Sequence, residues 1–339
     1  MEYRTLGRTG VKVSPLCLGT MMFGAWGNRD HDDSVRIIHR ALDAGINFVD
    51  TADVYAHGES EEIVGRALEG RRDSVVLATK AHAKMGDDPN MQGNSRRWIV
   101  REVEASLKRL RTDWIDLYQM HRFDPSTEIE ETLRALDDLV TAGKIRYAGS
   151  STFPAAEIVN AQWTAHDRRL TRFTAEQPPY SMLVRAIESD VLPVCEQFRM
   201  GVLVWSPLAG GWLSGKWRKG AAAPESARAD RLPARYDLSR PENQRKLEAA
   251  DALGALADST GVSLIHMAIA FTLNHPAVTS SIIGPRTMEQ LESQLGAESV
   301  KLAPGTLDRI DAIVPPGTTL IATDAGWQNP ALKPERRRR

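Results

Sequence analysis

FVDTADVYAHGES, residues 48–60, carries the reading on which the fold turns. An apolar run (Ile46, Phe48, Val49) ends on a carboxylate, Asp50, and a second acid, Asp53, and a phenol, Tyr55, follow. Asp50 and Thr51 could simply cap a turn with Tyr55 packed over it. Alternatively, a buried strand here delivers polar side chains to a site, in which case partners for them must come from elsewhere in the chain.

Seven more short apolar runs occur, giving eight candidate strands: Leu16–Gly19, Ile46–Asp50, Val75–Lys80, Ile115–His121, Ile145–Gly149, Phe173–Gln177, Val202–Trp205 and Ser281–Gly284. Helical patterns lie between them. SRRWIVREVEASLKRL repeats apolar residues at Ile99, Val103, Leu107 and Leu110. TEIEETLRALDDLVTAGK starts with a capping box from Thr127 to Glu130 and stops at Gly143. Eight β-then-α units predict an α/β protein, a closed parallel (β/α)8 TIM barrel rather than an open sheet. MEYRTLGRTGVKVS reads as a hairpin ahead of the barrel, with its turn at Arg8–Gly10. Residues 206–241, rich in Gly, Ala, Pro and Arg, form a long loop after strand seven, of the kind that serves as a lid. No low-complexity linker divides the chain. One barrel domain over residues 1–339 is expected, with a flexible tail from about residue 325.

Bulk properties narrow the function. At 42% hydrophobic and 26% charged residues the composition is that of a soluble globular protein. A net charge of −1 supplies no global field for nucleic acid or a membrane surface, and the Arg336–Arg339 run is too short to change that. Two cysteines, Cys17 and Cys195, are too few for a disulfide framework. The first residues lack a signal-peptide apolar region, and no stretch approaches the roughly 20 apolar residues of a membrane span. A cytoplasmic address is the expectation.

In such a barrel the C-terminal strand ends form the active face. Those ends carry Gly19-Thr20, Asp50, Lys80, His121, Ser150-Ser151, Gln177, Trp205-Ser206 and Gly284. Asp50, Lys80 and His121 fall on neighbouring strands, and Tyr55 on the loop after strand two folds back over them. An acid, a cation, an imidazole and a phenol together suit proton donation to a carbonyl oxygen. A free tyrosine is too weak an acid at neutral pH. A nearby ammonium favours phenolate and is expected to lower its pKa, while Asp50 holds the lysine charged. Singly, each residue also has a structural reading: Lys80–Asp50 as a rim ion pair, His121 as a satisfied strand-end histidine.

These residues and motifs resemble the aldo-keto reductases: INFVDTADVY…GESEEIVGRAL, ATK, IDLYQMHR, GKIRYAGSS, WSPLAGGWLSGK and IIGPRTMEQLES stand in that family's order across about residues 1–300. The resemblance implies a catalytic tetrad of Asp50, Tyr55, Lys80 and His121 with Tyr55 the general acid. It implies NADPH/NADP+ bound extended across the barrel mouth, with Gly19, Thr20, Met21 and Asp50 beneath it. Ser151, Thr152 and Gln177 match carboxamide-binding positions, and Trp205 matches the aromatic that stacks on the nicotinamide. Ser206, Pro207, Leu208, Gly210 and Lys216 match the pyrophosphate segment; Gly284, Arg286, Gln290 and Gln294 match the adenosine-phosphate segment. Thr152 and Gln294 both depart from a common Asn. Trp26, in MMFGAWGNRD, is expected to shape the substrate pocket with Tyr55 and His121.

Structural readings stand beside the cofactor roles too. Ser151 or Thr152 could cap the helix entered at Pro154, Thr287 and Gln290 form a capping-box pattern, and Trp205 could be barrel core. No G-x-G-x-x-G occurs. GGWLSGKW, Gly210–Trp217, nearly spells a P-loop, but Trp217 stands where Ser or Thr must bind magnesium. No metal motif is present. Two other functions compete with carbonyl reduction: a Schiff-base aldolase chemistry at Lys80, and a cofactor-binding regulatory subunit. The sequence also resembles the potassium-channel β subunits, in which the position matching His121 is not histidine. The expected partner is a small carbonyl compound.

Overall fold

The computed structural model describes residues 1–222, 224, 227–328 and 336. Strands β1 (Arg4–Thr5) and β2 (Lys12–Val13) form the expected hairpin, Arg4 opposite Val13. Eight parallel strands then close into a barrel: β3 (Leu16–Gly19), β4 (Phe48–Asp50), β5 (Val76–Ala81), β6 (Ile115–Met120), β7 (Ile145–Ser150), β8 (Ala175–Glu176), β9 (Gly201–Trp205) and β10 (Val278–Ile283). Because β10 pairs with both β9 and β3, no barrel strand is left with an open edge.

The helices α1 (His31–Asp43), α2 (Glu59–Ala67), α3 (Arg96–Leu110), α4 (Ile129–Thr141), α5 (Ala155–Arg168) and α6 (Val191–Phe198) connect successive strands. Then come α7 (Ala227–Arg231), α8 (Pro241–Thr260), α9 (Leu264–Asn274), α10 (Met288–Glu292) and α11 (Pro304–Ile313). Ser95 caps α3 by accepting from Trp98 N at 3.3 Å, and the expected stripe Ile99, Val103, Leu107 and Leu110 is buried. Gly143, at φ 72°, follows the C-cap of α4 as expected. No single helix among the described residues is long and apolar enough to cross a membrane.

Three local expectations need correction. Thr127 does not start a capping box: Glu128 is the N-cap of α4, and the Thr127 hydroxyl donates to Asp124 at 2.8 Å instead. Asp124 draws in Ser126 and Asn94 as well, so that loop is organised around a carboxylate rather than around the helix start. The last barrel strand begins at Val278, three residues before Ser281, because Thr279 and Ser280 are buried with their hydroxyls bonded to Val202 N and Ser14 O. Finally, the segment 206–241 is not wholly irregular; α7 and two short 3-10 turns lie in it. Most of the tail expected to be flexible lies outside the described residues, as do residues 337–339 of the arginine run. Gly326, within them, sits against Trp205.

Side chains alternate along each strand, so every second residue faces the barrel interior. Cys17, Phe48, Ala78, Leu117, Ala175, Leu203 and Ile282 fill one apolar interior layer, closed from below by Leu6 and Val13 of the hairpin. Two residues further along the same strands come Gly19, Asp50, Lys80, Gln119, Gln177, Trp205 and Gly284. The polar layer is thus the next storey above the apolar one. Gly19 is required there: a Cβ would lie 2.6 Å from Ile282 Cγ2.

Candidate active site

Lys80 anchors the polar layer. Its side chain is fully buried, and its ammonium donates to Asp50 Oδ2 at 2.6 Å, to the Thr51 carbonyl at 2.7 Å and to the Tyr55 hydroxyl at 3.3 Å. All three of its protons therefore have acceptors. The other oxygen of Asp50 accepts from Gln177 Nε2 at 2.8 Å and Gln119 Nε2 at 3.3 Å. A buried ion pair is stable only when its remaining lone pairs are satisfied in this way.

Tyr55 reaches the lysine because the chain after β4 turns sharply. Thr51 N and Asp53 N bond back to the carbonyls of Ala78 and Lys80, continuing the ladder past the strand end. Ala56 and His57 then adopt left-handed conformations, φ 48° and 56°, before Gly58 at φ 96° enters α2. Two consecutive non-glycine residues in that region are strained, which marks a site. Below the turn, Arg109 holds two buried carboxylates, Glu61 and Glu102, and its side chain packs on Gly58. His121 follows β6, its ring 5.8 Å from that of Tyr55 and near perpendicular to it. Trp26 stands 6.2 Å from Tyr55 on the other side.

Burial lifts the Tyr55 phenol above its ordinary range. The charge and hydrogen bond of Lys80 pull it down, but the net direction is up. The expectation of a lowered phenol is corrected: the lysine is where it was expected, and desolvation outweighs it. Tyr55 consequently keeps its proton at neutral pH. For Lys80, burial alone would lower the value, yet Asp50 and Tyr55 outweigh it and the ammonium is retained. Burial, then the charges of Lys80, Arg122 and His82, hold His121 well below the usual imidazole range, so the ring is neutral. The layer as a whole presents a loaded phenol donor and a neutral imidazole to whatever lies above.

The expected dinucleotide groove runs from the β7 end round to α10. Ser151 donates to the Gln177 carbonyl at 2.9 Å, and Thr152 accepts from Trp205 Nε1 at 3.3 Å. Neither caps α5, whose N-cap is Pro154. Trp205 is half-buried, its inner edge against the barrel core, so the core reading holds for part of the ring. Thr20 lies at the site floor but is fully buried, its hydroxyl bonded to Ser60 at 2.8 Å. At the far end Thr287 caps α10, and Gln290 Oε1 accepts from Arg286 N at 2.8 Å. Gln294 is turned inward: it is buried and donates to the Gln290 carbonyl at 2.7 Å.

Several features suit a bound dinucleotide. Among the described residues the buried Oε1 of Gln294 has no hydrogen-bond partner, which suits a donor such as an exocyclic amine. Gly284 has open space where a side chain would be. Neither Lys216 nor Arg286 has a carboxylate within 4.0 Å among the described residues, which leaves both free for phosphate.

Sequence reasoning missed Gln119, Arg122, Arg228 and Arg231. Gln119 was findable, being two residues after Leu117 on one strand and therefore on the same interior face. The arginines of the long loop carried no periodic signal.

A model of the aldo/keto reductase family matches residues 15–315. The uncharacterized oxidoreductase YrpG of Bacillus subtilis is 42% identical, over 93% of this chain and 96% of that protein. A probable voltage-gated potassium channel subunit beta of Arabidopsis thaliana is 38% identical, over 93% and 97%. The aldo-keto reductase YhdN of Bacillus subtilis is 37% identical, over 86% and 87%. A closed barrel carrying this buried Asp–Lys–Tyr group, matched along nearly its whole length, is an oxidoreductase that belongs to the aldo/keto reductase family.

Proposed function

We propose that the protein reduces aldehyde or ketone carbonyls to alcohols with NADPH. The observation that carries this reading is the lysine ammonium bonded at once to Asp50 and to the Tyr55 hydroxyl. When bound, the dinucleotide supplies the hydride. Ser151, Gln177, Trp205, Ser206, Pro207, Leu208, Gly210, Lys216, Gly284, Arg286, Gln290 and Gln294 would hold it, with Gly19 to Met21 and Thr152 bordering the nicotinamide end.

The chain's own residues handle the oxygen. Neutral His121 donates an N–H to the carbonyl oxygen and orients it. Tyr55 delivers its proton to that oxygen as negative charge develops there, and Lys80 stabilises the phenolate left behind. Asp50 holds Lys80 as an ammonium throughout. Trp26 walls the pocket, and the described residues act as one barrel unit.

Two other readings are weaker. A Schiff-base lysine must be neutral, and Lys80 is held charged. The similarity to potassium-channel subunits raises a binding role without turnover, but His121 beside Tyr55 favours turnover. Loss of NADPH absorbance with a panel of aldehydes is the test; no consumption of NADPH with any of them, at saturating protein, would refute reductase activity.

A further inference from the structure

Arg122 is a cation the carbonyl chemistry does not use. It follows His121 directly, is half-buried, and its Nη1 donates to the His121 carbonyl at 2.5 Å. No carboxylate lies within 4.0 Å of it among the described residues. Its charge nevertheless reaches both Tyr55 and His121. Besides the Tyr55 phenol, the one acid that acts on it, Glu176, is fully buried and already accepts from Ser150 and from Phe153 N.

A second such cation stands across the mouth. Arg231, from α7 in the long loop, places its guanidinium 4.7 Å over the Trp26 ring, and Trp26 is 6.2 Å from Tyr55. Arg231 likewise has no carboxylate within 4.0 Å among the described residues. Its neighbour Arg228 lies beside Gly210, on the side proposed for the pyrophosphate, and is left to that role. Two guanidiniums thus stand near the phenol and imidazole, one half-buried, with no carboxylate within 4.0 Å of either among the described residues. Partly desolvated arginines normally have an anionic partner, and the planar fork suits a carboxylate in particular.

We propose that Arg122, assisted by Arg231, selects carbonyl substrates that carry a carboxylate, the class of aldehydo- and oxo-acids. The inference rests on the reductase reading and adds to it the charge of the substrate. Arg122 grips the carboxylate while His121 and Tyr55 engage the carbonyl oxygen, so that the acid and not its neutral ester is fixed in register.

The test compares each acid with its methyl ester: succinic semialdehyde with methyl 4-oxobutanoate, and 4-carboxybenzaldehyde with methyl 4-formylbenzoate. In the wild type, kcat/KM for the acid should exceed that for the ester on the order of ten- to a hundredfold in at least one pair, the range of one charge-assisted bond. In Arg122→Gln that ratio should fall to near one, Arg122→Lys should keep part of it, and Arg231→Gln, on an exposed helix, should lower it less. Far-UV circular dichroism confirms that each variant is folded. Acids no better than esters in both pairs, or a ratio unmoved by Arg122→Gln, would overturn the assignment while leaving the reductase reading intact. Absence of NADPH consumption with all four compounds and with the wider aldehyde panel would overturn both.

Discussion

Replacing Lys80 by Met removes the cation from a fully buried position and leaves Asp50, 2% exposed, held only by the amides of Gln177 and Gln119. Breaking a buried ion pair by deleting one partner costs about 3–5 kcal/mol. The two amide donors that remain favour the lower end, and Met fills most of the lysine's volume, so a loss of about 3 kcal/mol is expected. In a chain of 339 residues that lowers Tm by roughly 4 °C. Adding Asp50→Asn removes the stranded charge as well, and the double variant should recover about 1–2 kcal/mol over Lys80→Met. The pH dependence has a definite sign. Lys80 is raised in the fold, so its stabilising contribution is complete below the ordinary lysine value and is lost as pH climbs through the raised one. Wild type and Lys80→Met should therefore differ most at neutral pH and converge at strongly alkaline pH. Calorimetry across that range measures this, alongside NADPH consumption, which should collapse in both variants. A Lys80→Met protein with the wild-type Tm, or a double variant less stable than the single one, would refute the ion-pair account.

Tyr55→Phe keeps the ring and loses the proton, so aldehyde reduction should fall by about 10² to 10⁴ while NADPH affinity, read by fluorescence titration, is retained; retention of most of kcat would remove Tyr55 as the acid. Arg286→Ala should raise KM for NADPH on the order of ten- to a hundredfold and barely move that for NADH, because only the former carries a 2′-phosphate. Equal effects on the two cofactors would dismiss it as the phosphate reader. Burial pushes Glu176 up to about 7, against the hydrogen bonds from Ser150 and the backbone N–H groups. The folded state then holds a proton that the unfolded chain has released, so stability should fall as pH rises from the ordinary glutamate range to about 7. Glu176→Gln should abolish that fall, on the order of 3 kcal/mol, in urea titrations at about pH 5 and about pH 8. Parallel pH profiles in the two proteins would show Glu176 to be ionised throughout.

The barrel and the Asp50–Lys80 pair were legible because both follow from alternation along strands. A strand that buries Phe48 must aim Asp50 into the same interior, and Ala78 and Lys80 obey the same rule. What escaped depends on contacts between distant segments. The start of β10 reads as a polar loop until Ser14 and Val202 are seen to satisfy its hydroxyls. Thr127 has the right spacing for a cap, and only the fold reveals that Asp124 competes for it. The direction of the Tyr55 shift could not be read from residue types, since the lysine's pull is visible in sequence and the depth of burial is not. Arg231 reaches Trp26 across a loop with no repeating pattern, so no local signal pairs them.

The hairpin gives the site a property that its own residues do not have. Leu6 and Val13 stopper the lower end of the barrel, and Gly7 is wedged so tightly that a Cβ would lie 2.6 Å from Gly201 N. Solvent can meet the polar layer only from above. The Lys80–Asp50 pair thus rests on a floor of low polarisability with water at the rim alone, and its field is damped on one side only. Low-dielectric walls focus field lines toward the opening, where a carbonyl would sit. The seal at the base of the barrel is in this sense part of the electrostatics at its mouth, and a leak there, such as Leu6→Asn admitting water beneath Lys80, would weaken the proton donor without touching it.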